Sequence, residues 1–337
     1  MSRARVVHAS APTRIDLAGG TLDIWPISVL VTGAVTVNVA VDLRAHVRIE
    51  PGPPGKVVIV SRDRRRRATR RLPLRPDEAA NGLALLFRLV AAFEPATGLR
   101  MTVHATAPAG AGLGGSSTLA VAAATALARW TRTPLGRGRL LQRVMNVEAV
   151  QIGVPTGNQD YLAALHGGVS AYHHEVDGTR RERLPVPRGL ERRMVLAYTG
   201  EPRSSGYSNW DMFRRFCDGE AKARRRMEAI ASVAREMADA VRCGDVDAIG
   251  RLVGQEGRLR FGLAPSVATP TLLRADSAAR RAGALGLKVC GAGGGGCVVA
   301  VAREGKAESV ASALASAGAR PLPFRIARGG VAVEVVR

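Results

Sequence analysis

The chain of 337 residues has little cysteine, which argues against several classes of protein. Its four cysteines, Cys217, Cys243, Cys290 and Cys297, include no CxxC pair and are too sparse for a secreted disulfide scaffold. No group of histidines, cysteines and carboxylates has the spacing of a zinc site. We therefore expect reduced thiols in a cytoplasmic protein.

Long hydrophobic runs are also missing. The longest run, residues 27–41, is interrupted by Thr32, Gly33, Thr36 and Asn38, whereas a membrane helix needs about 20 apolar residues. Residues 1–16 contain no apolar core of a signal peptide. Hydrophobic residues nevertheless make up 46% of the chain, enough for a sizeable core and for two lobes. We expect a soluble protein without a membrane partner.

Negative charge is scarce, and the formal net charge is +21. Such a surplus is typical of proteins that bind nucleic acids. Here nearly all the cations are arginine, and many lie in one run, Arg62–Arg71, between two short strand-like segments. We interpret this run as the solvated tip of a hairpin and do not expect nucleic acid as a partner, although a contact with an anionic polymer or substrate stays open.

The most informative stretch is residues 108–130, PAGAGLGGSSTLAVAAATALARW. Residues 99–106 alternate in polarity and predict a strand before it, and the alanine-rich part predicts a helix after it. Glycines allow a tight turn and a close approach to a ligand, and the free N–H groups of a helix start bind anions. We predict a phosphate site at Pro108, Gly110, Gly112, Leu113, Gly114, Gly115, Ser116 and Ser117.

Two common nucleotide motifs do not fit this turn. Its GxGxxG pattern matches the dinucleotide fingerprint, but residues 130–140, WTRTPLGRGRL, lack the acid required about 20 residues on. A P-loop would need a lysine after the glycines. A phosphate loop with hydroxyls remains, in which Ser116 or Ser117 and Glu148 of the next predicted helix are candidate Mg²⁺ ligands. A purely structural turn is the alternative.

Two further stretches carry chemistry. The loop GVPTGNQD, residues 153–160, brings a second acid, Asp160, to the end of the Glu148 helix. A second glycine run, Gly291–Gly296, joins two predicted strands and would be a costly hairpin unless its backbone lies against a ligand. Two such glycine loops in one chain indicate that a polyphosphate is enclosed.

Three segments together resemble the three motifs of the GHMP kinases: Pro12–Asp23 (PTRIDLAGGTLD), Pro108–Thr118 and Lys288–Cys297. The resemblance implies an α+β fold of two lobes, the first like ribosomal protein S5 domain 2 and the second ferredoxin-like. We place the lobes at residues 1–185 and 186–337. The resemblance also implies ATP in the cleft, with Mg²⁺.

The same resemblance implies roles for single residues. Asp160 falls on the catalytic aspartate and Arg14 on the arginine that accompanies it, while Ser116 and Glu148 fall on the Mg²⁺ ligands. An arginine beside the base would hold it ionised and offset charge on the transferred group. The residues predicted to bind substrate are Asp16, Gly19, Gly20, Asp23, Arg203, Gly293 and Gly294.

The substrate motif is similar to that of sugar 1-kinases. Gly20 and Thr21 stand where galactokinases carry Glu-His, and AGG followed by Asp23 resembles the AGGGTD form of heptose-7-phosphate 1-kinases and fucokinases. Residues 199–204, TGEPRS, are similar to their TG-x-x-R-S segment, which includes Arg203. We expect ATP-dependent phosphorylation of a sugar or sugar phosphate, at the anomeric hydroxyl.

Three alternatives remain, and the sequence leaves the oligomeric state open. The first is a galactokinase-like enzyme. The second is a kinase of another small alcohol, such as a mevalonate-like acid, which Arg14 disfavours because mevalonate kinases have lysine there. The third is a basic nucleic-acid-binding protein on a non-catalytic kinase fold, since fold alone does not fix function.

Overall fold

The structure is a computed structural model that describes residues 5–75, 82–201, 205–263 and 265–336. The strands are β1 (Val6–Ala18), β2 (Val35–Pro51), β3 (Lys56–Ser61), β4 (Arg66–Arg71), β5 (Leu99–Ala105), β6 (Val169–Glu175), β7 (Gly178–Leu184), β8 (Met194–Tyr198), β9 (Ala284–Val289), β10 (Cys297–Ala302), β11 (Arg320–Pro321) and β12 (Ala332–Val336). The helices are α1 (Ile27–Leu30), α2 (Ala84–Phe93), α3 (Gly115–Thr131), α4 (Arg137–Ile152), α5 (Gln159–His166), α6 (Leu190–Arg193), α7 (Ser205–Cys217), α8 (Ala221–Cys243), α9 (Val246–Phe261), α10 (Pro270–Arg281) and α11 (Ala307–Ser316), with a 3₁₀ turn at Pro265–Val267.

The N-terminal lobe is built on an eight-stranded sheet in the order β12-β1-β2-β5-β3-β4. The first part of β2 pairs with β6 instead of β5, and β6 in turn pairs with β7. All these pairs are antiparallel except β3 with β5. Helices α2 to α5 cover one face of the sheet, where Val47, Ile49, Phe87 and Val121 share a core. The hairpin is present, but the prediction that the whole arginine run is its tip is wrong: only residues 62–65 form the turn, and Arg66–Arg71 is the second strand, paired with β3.

Helix α3 lies at the centre of this lobe. Its alanine-rich sequence lets it pack closely on β1 and β2 while α2, α4 and α5 surround it. Residues Ala120–Ala124 are buried all round, as expected of an internal helix. This packing fixes the glycine turn at the start of α3. Within the described ranges, no helix has the length and apolarity needed to span a bilayer.

The C-terminal lobe is a four-stranded antiparallel sheet in the order β11-β8-β10-β9. Side chains alternate along its strands, as the period of two requires. One face, including Val195 and Val298, packs on α10 and α11. The other face, including Leu196 and Val299, joins α8, α9 and the N-terminal strands in a core that spans both lobes.

The two-lobed α+β architecture expected from the sequence is confirmed. The boundary expected at residue 185 falls just after β7, but the chain crosses between the lobes a second time. Strand β12 returns to the first sheet and pairs with β1, from Val6 opposite Val336 to Ser10 opposite Ala332. The return covers the edge of β1, where unpaired backbone groups would otherwise lie open.

Candidate functional site

A cavity of about 410 Å³ lies between the two lobes. It is formed by the end of β1, the glycine turn before α3, α4, the start of α5, and parts of the C-terminal lobe. Many residues predicted from distant parts of the sequence meet here. The predicted site residues that line the cavity are Arg14, Gly20, Asp23, Pro108, Gly110, Gly112, Leu113, Gly114, Gly115, Ser116, Ser117, Glu148 and Asp160.

The glycine turn presents the start of α3 to this cavity. Gly110, Gly112 and Gly114 have φ angles of 70°, 79° and 74°, a left-handed conformation that favours glycine. Gly114, rather than a serine, is the N-cap of α3, and Ser116 and Ser117 lie in its first turn. No side chain caps this helix start. Its N–H groups and the positive end of the helix dipole are therefore available to an anion.

The buried Arg14 and the partly exposed Asp160 form an ion pair at the edge of the glycine turn. The Nε of Arg14 donates to Asp160 Oδ1 over 2.7 Å, and Nη1 donates to the carbonyl of Gly112 over 2.7 Å. Burial alone would lower the pKa of Arg14, but Asp160 and Asp16 outweigh it and raise that pKa. The guanidinium stays charged and fixes the carboxylate against the turn.

Glu148 faces the cavity from α4 and is held by hydroxyl groups. Ser117 Oγ donates to Glu148 Oε2 over 2.8 Å, and Tyr161 Oη donates to the same oxygen over 2.6 Å. Burial raises the pKa of Glu148 despite these hydrogen bonds and one from Ser116. No lysine or arginine of the described segments pairs with this carboxylate.

This donor set suits a hard divalent cation such as Mg²⁺, which prefers one or two protein oxygens and completes its shell with water and phosphate. No group of three or more histidines, cysteines and acids in the part of the chain that the structure describes is arranged to hold a metal by itself. Phosphate oxygens would therefore have to complete the coordination.

Asp23 is the second buried acid of the cavity wall. Its carboxylate accepts hydrogen bonds from the backbone N–H groups of Gln159, over 3.0 Å, and Thr21, over 3.1 Å. Burial raises the pKa of Asp23 to about 6 because it outweighs these hydrogen bonds, and the nearby charge of Asp160 adds to the rise. Asp23 therefore changes its charge near neutral pH.

The loop Gly291–Gly296 meets the glycine turn directly. The N–H of Cys297 donates to the carbonyl of Ala111 over 2.7 Å. A Cβ on Gly296 would lie 2.8 Å from that same carbonyl oxygen, so a side chain there would separate the two loops. Of this loop, Gly291 and Ala292 line the cavity.

Some predicted substrate residues lie behind the cavity wall. Asp16 is fully buried, with the Nζ of Lys288 3.0 Å from its Oδ2. Gly19, Gly293 and Gly294 do not line the cavity either, and a Cβ on Gly19 would lie 2.0 Å from the carbonyl oxygen of Val35. They shape the loops that carry the site, and their contact with substrate stays a prediction. Arg203 lies outside the described residues.

Sequence reasoning missed several residues of the wall. Thr21 and Gln159 line it and are neighbours of predicted residues, so the motif spacing was a usable signal. Arg260 also lines it, yet it sits on an arginine-rich amphipathic helix without a local signal. At the far end lie Asp63 and Arg64, which join the tip of the arginine run to the cavity.

An uncapped helix start, an Arg–Asp ion pair and an acid held by hydroxyls, all in one interlobe cleft, are the features of a phosphoryl-transfer enzyme. Residues 80–168 match the GHMP kinases N terminal domain and residues 234–320 match the GHMP kinases C terminal domain. The chain belongs to the GHMP kinases and is a small-molecule kinase.

Relatives with different substrates are similar to this chain. The mevalonate kinase of Thermococcus onnurineus is 30% identical over 98% of this chain and 99% of its own. The D-glycero-alpha-D-manno-heptose 7-phosphate kinase of Campylobacter jejuni is 27% identical over 87% of this chain and 88% of its own. A solved D-glycero-D-manno-heptose 1-phosphate kinase from Bacteriodes thetaiotaomicron has a TM-score of 0.77 at 24% identity, covering 97% of this chain and 98% of that one. The structural likeness supports the fold alone.

The two adjacent glycines of the turn provide a direct test of its geometry. A Cβ on Gly114 would lie 2.8 Å from the Cγ of Asp160, at a φ of +74°, whereas a Cβ on Gly115 meets nothing within 4 Å. We expect Gly114→Ala to lower the free energy of unfolding by about 2 kcal/mol. Gly115→Ala should leave it unchanged or raise it slightly. Urea unfolding of both variants measures the difference, and equal effects would contradict the described turn.

Proposed function

We propose that this chain transfers the γ-phosphoryl group of ATP to a hydroxyl of a sugar or sugar phosphate, at the anomeric position. The observation that carries the proposal is the pair of carboxylates, Asp160 and Asp23, that face one cavity beside the glycine turn. Asp160 supplies a proton acceptor next to the phosphate site. Asp23 supplies a hydrogen-bond acceptor for further hydroxyl groups. The reaction would take place in the cytoplasm, as the sequence predicts.

The charge of the acceptor side favours a polyol over a carboxylic acid. Of the guanidinium groups that line the cavity, Arg14 and Arg260 are each already paired with a carboxylate, and Arg64 donates to the carbonyl of Gly82. A mevalonate-like carboxylate would be repelled by Asp23 and Asp160, while Arg14 and Arg260 are already neutralised by their own partners. Hydroxyl groups, in contrast, donate hydrogen bonds to both acids.

The relatives leave two substrate classes to separate. The heptose 7-phosphate kinase supports the sugar phosphate, and the mevalonate kinases are as similar in sequence. Arg14 supports a sugar or sugar phosphate as the substrate, because mevalonate kinases carry lysine at the corresponding position. The phosphate of a sugar phosphate would need a cationic partner, and Arg203 is our candidate.

The triphosphate would bind at the start of α3. The N–H groups of residues 115–117 would hold its oxygens, and Ser116 with Glu148 would hold Mg²⁺, for which the oxygen donors are suited. Bound there, Mg²⁺ would neutralise charge on the phosphates. The rest of the nucleotide would extend along the part of the cavity that Asp63 and Arg64 line.

In this proposal Asp160 accepts the proton of the attacking hydroxyl as its oxygen bonds to the γ-phosphorus, while the bond from that phosphorus to the β–γ bridging oxygen breaks and ADP leaves. Arg14 holds Asp160 Oδ1 in place and contributes positive charge beside the transferred group. The carbonyl of Gly112, which also accepts from Arg14, ties this pair to the phosphate turn. Most of the rate gain would come from positioning the two reactants.

The primary test is ADP release with a panel of free hexoses, hexose phosphates, heptose 7-phosphate and mevalonate. We expect one sugar or sugar phosphate to support turnover. Asp160→Asn should lower kcat by about 10²- to 10⁴-fold, because proton acceptance is lost while binding is kept. Glu175→Gln, which changes an exposed acid, is the matched control.

Each other outcome identifies a rival. Turnover with mevalonate alone would support the small-acid kinase. If no compound exceeds the Asp160→Asn background while duplex DNA binds with a steep dependence on salt, the chain is a nucleic-acid-binding protein and the proposal is wrong.

A magnesium titration tests the role of Glu148. Removing one anionic ligand should raise the Mg²⁺ concentration for half-maximal activity at least about tenfold in Glu148→Gln. Asp239→Asn, an exposed acid on α8, is the control. An unchanged half-maximal concentration in Glu148→Gln would remove this residue from the metal site.

The pKa of Asp23, about 6, predicts a pH dependence. Below that pH the carboxyl is protonated and neutral in the folded protein, and above it the carboxylate accepts hydrogen bonds from the sugar. We expect kcat/KM of the wild type to fall towards that of Asp23→Asn as the pH drops from 7 to 5. Because ATP titrates equally in both assays, the ratio of the two kcat/KM values is independent of that titration. A ratio that is constant over this range would show that Asp23 does not act as an ionised acceptor.

A further inference from the structure

Four charged side chains are buried together where the two lobes meet. This buried charge cluster consists of Asp16 on β1, Glu256 and Arg260 on α9, and Lys288 on β9, each with no solvent exposure. Lys288 Nζ lies 3.0 Å from Asp16 Oδ2 and 3.1 Å from Glu256 Oε2, and Arg260 Nη2 lies 2.6 Å from Glu256 Oε1. Two positive and two negative charges balance, so the cluster carries no net charge.

Arg260 also reaches the backbone on both sides of the cleft. Its Nη2 donates to the carbonyl of Gly20 over 2.8 Å, and its Nη1 donates to the carbonyl of Gly291 over 3.3 Å. Nη1 also lies 3.4 Å from the hydroxyl of Thr21. One planar guanidinium therefore joins the substrate motif of the first lobe to the glycine loop of the second. A lysine, with a single ammonium group, does not span such a fork.

The segment that Arg260 holds is a strained one. Thr21 has a φ of +82°, which is costly for a residue with a β-branched side chain. Gly20 lies so close to the cluster that a Cβ there would be 2.3 Å from Asp16 Oδ2. Thr21 in turn donates its N–H to Asp23, the acid proposed to bind the acceptor. The orientation of Asp23 thus depends on a backbone that the cluster supports.

Close packing of α9 on β9 brings Arg260 into reach. A Cβ on Gly257 would lie 2.3 Å from the carbonyl oxygen of Leu287, and one on Gly254 would lie 2.9 Å from the Cα of Gly286. The helix therefore sits against the strand at a distance that only glycine allows. The side chain of Arg260 extends from this contact to Gly20 in the other lobe, and Glu256 pairs with its guanidinium.

We propose that Arg260 is a positioning residue for the phosphoryl acceptor, holding Gly20, Thr21 and Gly291 so that Asp23 is correctly placed. This proposal depends on the proposed function in one respect only, namely that the phosphoryl acceptor binds beside Asp23. Stability alone is a weak reason for the cluster, because buried ion pairs are often no better than apolar packing. The backbone contacts of Arg260 supply the reason, since they orient a strained loop in the wall of the site.

The test separates positioning from stability with a charge-neutral variant. Arg260→Met combined with Glu256→Gln removes one positive and one negative charge and leaves the Asp16–Lys288 pair. We expect the KM for the sugar acceptor, with heptose 7-phosphate as the first probe, to rise at least tenfold while the KM for ATP stays within threefold. Arg260→Lys keeps the charge but loses the fork, so it should fold stably and still show a raised acceptor KM.

A second measurement needs no acceptor. The N–H groups of Leu22 and Ile24 close the turn by donating to the carbonyls of Gly19 and Thr21. We expect their hydrogen exchange to accelerate at least tenfold in the combined variant. Arg235→Met is the matched control, because Arg235 also donates to carbonyls of the other lobe, those of Thr32 and Gly33, away from the cavity. It should alter neither the exchange of this turn nor either KM.

Two results would overturn the proposal. Unchanged exchange at Leu22 and Ile24 in the combined variant or in Arg260→Lys would show that Arg260 does not hold the turn. A parallel rise in both KM values would show general damage to the cleft instead of acceptor positioning. If no acceptor on the panel supports turnover, the proposed function fails, and the exchange comparison still decides whether Arg260 orders this loop.

Discussion

Direct contact between two backbones, without side chains between them, is the constraint on which the site depends. The turn before α3 and the loop after β9 come from different lobes, and the Cys297–Ala111 hydrogen bond of 2.7 Å joins them. Gly296 makes this approach sterically allowed. Gly257 allows a similar backbone contact within the second lobe, between α9 and β9. Gly296 therefore does more than bend the chain, because it sets the distance between the two lobes at this point.

Ion pairing divides the buried acids near the cleft into two groups. For Asp16, burial would raise the pKa, but Lys288, Arg260 and Arg14 outweigh it and lower that pKa, so this acid is fixed as an anion inside the protein. For Asp23 and Glu148, burial prevails and the pKa is raised. Asp23 and Glu148, the two buried acids without a cationic partner in the described structure, both face the cavity. An acceptor hydroxyl or a metal ion would supply the partner that the described protein does not provide for these two carboxylates.

Local patterns predicted the parts of the site that lie in short motifs. Ser116, Ser117 and the glycine turn followed from a strand, a glycine run and an alanine-rich helix. The pairing of Arg14 with Asp160 spans much of the chain, and only the family resemblance placed the two together.

Arg260 was not predicted, because its burial comes from tertiary packing and its helix has the same sequence pattern as a solvated arginine-rich helix. The family resemblance gave Asp16 as a substrate contact; in the structure it is fully buried beside Lys288, and its contact with substrate stays a prediction. The return of β12 had no local signal, since pairing at a sheet edge depends on which edge is free.

The second chain crossing has a mechanical consequence for the cleft. One connection leaves the first lobe after Leu184, and the other returns before Ala332, where Ala327 and Arg325 already bond to β2 through Ala40 and Asp42. A body tethered at two points rotates most easily about the line that joins them. The two connections, together with the core that both lobes share, restrict any relative movement of the lobes to a rotation about that line.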